Sequence, residues 1–78
     1  MIILKEGIVL RYCLDRAFFI NIHNNKIVSM KKETVTFLMN EIAKGLNKEN
    51  PLFANQEFNK MINCMVQDEF FEVLKDEF

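Results

Sequence analysis

Arg16 to Met30 reads RAFFINIHNNKIVSM, and the fold turns on how the two halves of this stretch pair. Ala17 to His23 sets Phe18, Ile20 and Ile22 against Phe19, Asn21 and His23, the period-two alternation of a strand with one buried face. Asn24-Asn25 supplies the residue type that best tolerates positive φ outside glycine, as a tight hairpin turn requires. Lys26 to Met30 is then a short return strand. Helical patterns follow it, so it is expected to form the edge of a small sheet. An edge strand carries unpaired backbone donors and acceptors that a protein must either guard or use.

Working outward, Ile8 to Leu14 (IVLRYCL) alternates in the same way and forms a first strand behind Gly7. A three-residue loop of Leu14, Asp15 and Arg16 would set Leu10 and Tyr12 opposite Ile20 and Phe18, joining two apolar faces. A two-residue loop would turn one of those faces to solvent. The longer loop is the expectation, because it makes one continuous apolar surface.

Downstream, Val35, Leu38, Met39 and Ile42 form one stripe of a helix over about 33–44, with Gly45 placed to end it. Pro51 suits the first position of a brief helix over 50–54, anchored by Leu52 and Phe53. Asn55 is a candidate N-cap for a last helix over 56–70, whose stripe is Phe58, Met61, Ile62, Met65 and Val66. Residues 70–74 either prolong that helix or close the core, and the acidic tail Lys75 to Phe78 is expected to fray. The sum is an α+β domain: three antiparallel strands (about 8–14, 17–23 and 26–30), then two or three helices.

Composition limits the function. Seventy-eight residues, half of them apolar and eight of them Phe, make a single domain with a small core. The formal charge of −1 argues against a general nucleic-acid binder. Residues 1–39 carry six Lys/Arg and three Asp/Glu, while residues 40–78 carry four and eight, so the sheet half is mildly basic. Cys13 and Cys64 stand alone without CxxC spacing and read as reduced, mostly buried thiols of a cytoplasmic protein. Ile2-Ile3-Leu4 is too short for a signal core or a membrane span. His23 has no second His or paired Cys nearby in sequence and reads as a solvated turn residue. The carboxylates from Asp68 onward have no calcium-loop spacing, and no nucleophile–base set or phosphate loop is present. No enzymatic activity, metal or cofactor is expected.

The pattern of LKEGIVLRYCLD, RAFFINIHNNKIVSM, KKETVTFLMNEIAKG and EFNKMINCMVQDEFFEVL resembles the PqqD-like peptide chaperones, the precursor-peptide recognition elements of ribosomal peptide natural-product pathways. The likeness runs from about Leu4 to Leu74 and lies in lengths and apolar positions. Two departures stand out: Met30-Lys31 where the family tends to have Leu-Asn entering the first helix, and a short, irregular 47–55 where it has a fuller helix. The resemblance implies a winged-helix-like domain that holds the leader segment of a precursor peptide for a modifying enzyme, such as a radical-SAM protein. It implies that the leader adds as a strand beside the third strand, in a groove walled by the last helix.

By position those elements are Lys26, Ile27, Val28, Ser29 and Met30, and the helix from Gln56 to Gln67. Ile62 and Val66 would line the groove with Asn59 and Asn63 on its rim; equal weight goes to Ile62 and Val66 being ordinary core. Lys26, Lys31 and Lys32 would favour acidic leader residues. A Val28→Pro change is expected to remove an edge donor and abolish capture with little effect on folding. The alternative is a winged-helix DNA-binding regulator, against which the last helix offers Lys60 as its only basic residue. A third reading is self-pairing through the edge strand as a symmetric dimer.

Overall fold

In the computed structural model, which describes residues 1–74, strands β1 (Ile2–Leu4), β2 (Ile8–Cys13), β3 (Arg16–Asn21) and β4 (Ile27–Lys31) precede helix α1 (Lys32–Ala43). A 3₁₀ turn (Pro51–Ala54), helix α2 (Gln56–Gln67) and strand β5 (Phe71–Val73) follow. Two antiparallel sheets result, one ordered β2-β3-β4 and one pairing β1 with β5. The fold is α+β, and the expectation about Lys75 to Phe78 lies outside the described residues.

The first hairpin departs from the sequence reading. Cys13 pairs with Arg16 across a two-residue loop of Leu14 and Asp15, so Leu10 stands opposite Phe19 and Tyr12 opposite Ala17. Leu14 takes φ 56 and is 92% exposed. A positive φ at the first of two loop residues matches the twist of the flanking strands, which is why short hairpins use it. The inward set on β3 is therefore Ala17, Phe19 and Asn21, all buried, while Phe18 and Ile20 face outward. Phe19 is worth this register because it packs edge-to-face on Phe70 and Phe71, with centroids 6.5 and 6.0 Å away.

The cost is a buried amide, and both polar atoms of the Asn21 side chain find partners. Its Oδ1 accepts from the Asn24 and His23 backbone amides at 3.3 and 2.9 Å, and its Nδ2 donates to the Glu69 carbonyl at 3.0 Å. These bonds shape the connection to β4, which is five residues (22–26) long and not a two-residue Asn24-Asn25 turn. Asn25 supplies the positive φ (62).

Helix signals in the sequence are met locally. Asn50 Oδ1 accepts from Leu52 N at 2.9 Å at the start of the 3₁₀ turn, and Asn55 Oδ1 caps α2 through Phe58 N at 3.1 Å. Gly45, at φ +94, follows the Lys44 C-cap of α1. Helix α2, however, stops at Gln67, short of the expected Phe70. Phe70 N donates to Met65 O at 2.8 Å and Glu69 N to Val66 O at 3.0 Å, with Glu69 left-handed at φ 66. That is the Schellman pattern, sealed by the buried pair Met65 and Phe70.

The turn sends Phe71 to Val73 back along β1, with Ile2 opposite Val73 and Leu4 opposite Phe71. Leu46 joins by a bridge to Ile2, whose amide donates to its carbonyl at 2.7 Å. The core thus unites Ile2, Phe19, Val35, Leu38, Leu46, Ile62, Met65, Phe70 and Phe71 between the larger sheet, the helices and the small sheet. Both cysteines are free, and both are exposed, contrary to the buried reading. Cys13 shares the outward parity of Val9 and Arg11, and Cys64 lies two residues from Ile62, off the apolar stripe.

Candidate functional site: the open edge of the larger sheet

β4 pairs only with β3, so its other side is an edge among the described residues. Which backbone groups face that edge follows from two bonds that flank the pairing. Asn21 N donates to Lys26 O at 2.9 Å, and Lys32 N donates to Asp15 O at 2.8 Å. Bonded pairs in an antiparallel ladder recur every second residue. The register then makes Phe19–Val28 and Ala17–Met30 the bonded pairs. Val28 and Met30 turn their amides and carbonyls toward β3, whereas Ile27 and Ser29 aim theirs away from it. The Val28→Pro expectation is therefore corrected: Val28 N–H belongs to the sheet itself, and its loss would damage the fold.

Side chains alternate the other way. Val28 and Met30 are half-buried against the core, while Ile27, Ser29 and Lys31 are exposed. Ser29 Oγ accepts from Arg16 Nε and Nη2 at 3.0 and 2.8 Å, which holds the guanidinium across the sheet. Lys26 is not a spare charge: its Nζ reaches Asp68 Oδ1 at 2.8 Å, and Asn24 Nδ2 donates to Asp68 O at 3.1 Å. These contacts pin the β3–β4 loop to the end of α2. Lys32 Nζ sits 5.7 Å from the centroid of the Tyr12 ring.

The four helix residues assigned to the groove come together, but not beside β4. Asn59, Ile62, Asn63 and Val66 line a cleft of about 360 Å³ whose other walls are Ile2, Lys48, Phe53 and Val73. Ile62 is 1% exposed and belongs to the core, whereas Asn59 and Asn63 are exposed, with Asn63 Nδ2 donating a hydrogen bond to Asn59 Oδ1 at 3.3 Å. The cleft is thus bounded by the β1–β5 sheet, which the sequence reading lacked. Of the nine residues, Ile27 to Met30 lie on β4, Lys26 lies in the loop before it, and the other four lie on the small-sheet side of α2.

His23 is exposed, with its ring over Gly7, and borders a cleft with Lys5, Glu6 and Glu72. No group of three or more His, Cys, Asp or Glu among the described residues is placed to hold a metal ion. No helix among them is long and apolar enough to cross a membrane. What sequence reasoning missed is the outer face of the larger sheet, carrying Val9, Phe18, Ile20 and Ile27; its signal was the second alternation within Ala17 to His23. Comparison with protein-family models, with curated proteins and with solved structures gives no match.

Proposed function

We propose that this protein is a non-catalytic adaptor of winged-helix-like build. It would bind the leader segment of a ribosomally made precursor peptide by strand addition along β4 and present it to a peptide-modifying enzyme, such as a radical-SAM protein. The observation that carries the reading is the outward aim of the Ile27 and Ser29 backbone groups on an edge strand. The pattern resemblance across Leu4 to Leu74 supplies the class of guest.

Strand addition draws affinity from main-chain bonds and specificity from alternate side chains. Two residues exchange up to four bonds, each contributing about 1 kcal/mol net. That does not offset the ordering of a flexible leader, so apolar anchoring has to supply the remainder. The guest's inward side chains would meet the half-buried Val28 and Met30. The α2 cleft, walled by Ile2 and Val73, is a separate feature in this reading. Lys31 and Lys32 remain to steer acidic residues; Lys26 is already paired with Asp68.

The test uses the leader of a short precursor encoded beside this protein's gene. Ser29→Pro deletes an outward donor and should abolish binding, while Ser29→Ala, which keeps the N–H, should bind as the unchanged protein does. Equal binding by Ser29→Pro, with the fold intact by circular dichroism, would sink the strand-addition reading.

A further inference from the structure

The outer face of the larger sheet takes no part in the core packing among the described residues. The register sets Val9, Ile20 and Ile27 in one row across the three strands, Arg11, Phe18 and Ser29 in the next, and Cys13, Arg16 and Lys31 in the third. Ile27 is 61% exposed, and Val9, Phe18 and Ile20 are half-buried without packing against the core. Among the described residues, no acidic side chain occupies these three rows. Elsewhere on the surface Lys5, Lys26 and Lys44 have carboxylate partners, whereas Arg11, Arg16 and Lys31 have none among the described residues. An apolar row therefore gives way, along the strand direction, to a band of three unneutralised cations, one of them fixed in place by Ser29.

We propose that this face docks an acidic amphipathic helix of a partner protein. Three strands span about 10 Å, the width of one helix with its side chains. Along the strands the apolar row lies roughly 7 Å from the Arg11 row and 14 Å from the Lys31 row. A helix with its apolar side chains over Val9, Ile20 and Ile27 would reach those cations with carboxylates one and about two and a half turns onward. A second copy meeting face to face would oppose its own arginines. A single-strand nucleic acid would want several stacking rings, and this face offers only Phe18. The inference does not depend on strand addition at β4.

The probe is a synthetic helical peptide of Ala, Leu and Glu, with a leucine face and glutamates one and about two and a half turns beyond it, followed by NMR of the labelled protein. The acidic peptide should shift the side-chain signals of Val9, Phe18, Ile20 and Ile27. Its affinity should fall at least tenfold in an Arg11→Glu/Arg16→Glu double variant and in Ile20→Asp. Lys32→Ala, in α1 and outside the three rows, should leave it unchanged, which separates this surface from the cation assigned to leader steering at β4. The same peptide with Lys for Glu should bind the unchanged protein poorly and the double variant better. Shifts confined to other surfaces, no shift at all, or equal binding of both peptides would overturn the proposal. So would phosphatidylserine vesicles or oligouridine engaging the face where the acidic peptide does not.

Discussion

Phe19 meets Phe71 edge-on, with ring centroids 6.0 Å apart and planes at 83°, so the middle strand of the larger sheet is fastened to the strand that completes the smaller one. Phe18, its neighbour, points the opposite way and is only half-buried. Phe19→Ala should cost about 3–5 kcal/mol, most of the stability of so small a domain. Phe18→Ala should cost about 1 kcal/mol or less. Urea unfolding of the two variants measures the gap, and a reversed order would support the three-residue hairpin loop instead.

Asn21 holds two loop amides and the carbonyl at the end of α2 from a buried position. Asn21→Leu fills the same volume but strands those partners, and each unsatisfied group costs about 1–3 kcal/mol. Chemical denaturation should show Asn21→Leu clearly less stable despite its greater hydrophobicity. A neutral or stabilising result would mean that the loop reorganises without its acceptor.

Two positive-φ positions lack the residues that favour them, Leu14 at φ 56 and Glu69 at φ 66. Left-handed backbone costs an L-residue with a β-carbon about 1–2 kcal/mol, while glycine loses part of that gain through its freer unfolded chain. Leu14→Gly should raise stability by about 0.5–1 kcal/mol, read as a higher melting temperature. Glu69→Gly should gain slightly less, because it gives up the exposed 3.2 Å pair with Lys5.

Amide hydrogen exchange should alternate along β4. Val28 and Met30, bonded to β3, should exchange slowly, and Ile27 and Ser29 quickly. A bound leader strand should slow Ile27 and Ser29 and leave Val28 and Met30 as they were. Uniform protection along β4 in the free protein would mean that the edge is already occupied, as in a self-paired dimer, which a mass measurement across concentrations would detect.

Helix positions were readable because their signals are local: Asn55, Pro51 and Gly45 act within a few residues. The errors share two physical causes. Leu14 and Glu69 turn the chain without a glycine or asparagine to announce it, so the hairpin was read one residue too long and α2 three residues too long. Within Ala17 to His23 both alternations carry an aromatic residue, and the winner is decided by Phe70 and Phe71, some fifty residues away. The edge strand was legible, since it depends on helices following it. The wall of the α2 cleft was not, because β1 and β5 are three residues each and gain meaning only from one another.

The pairing of Ile2–Leu4 with Phe71–Val73 also dictates when the molecule can mature. A nascent chain leaving the ribosome has its hairpins early, yet Phe19 meets bare solvent on one side until residue 71 has cleared the exit tunnel. Closure of the interior therefore waits for that pairing and is slow relative to the local helices, because it joins residues 2–4 to residues 71–73. A polypeptide halted before Phe70 would display a raw aromatic surface, ready for a holdase to shield.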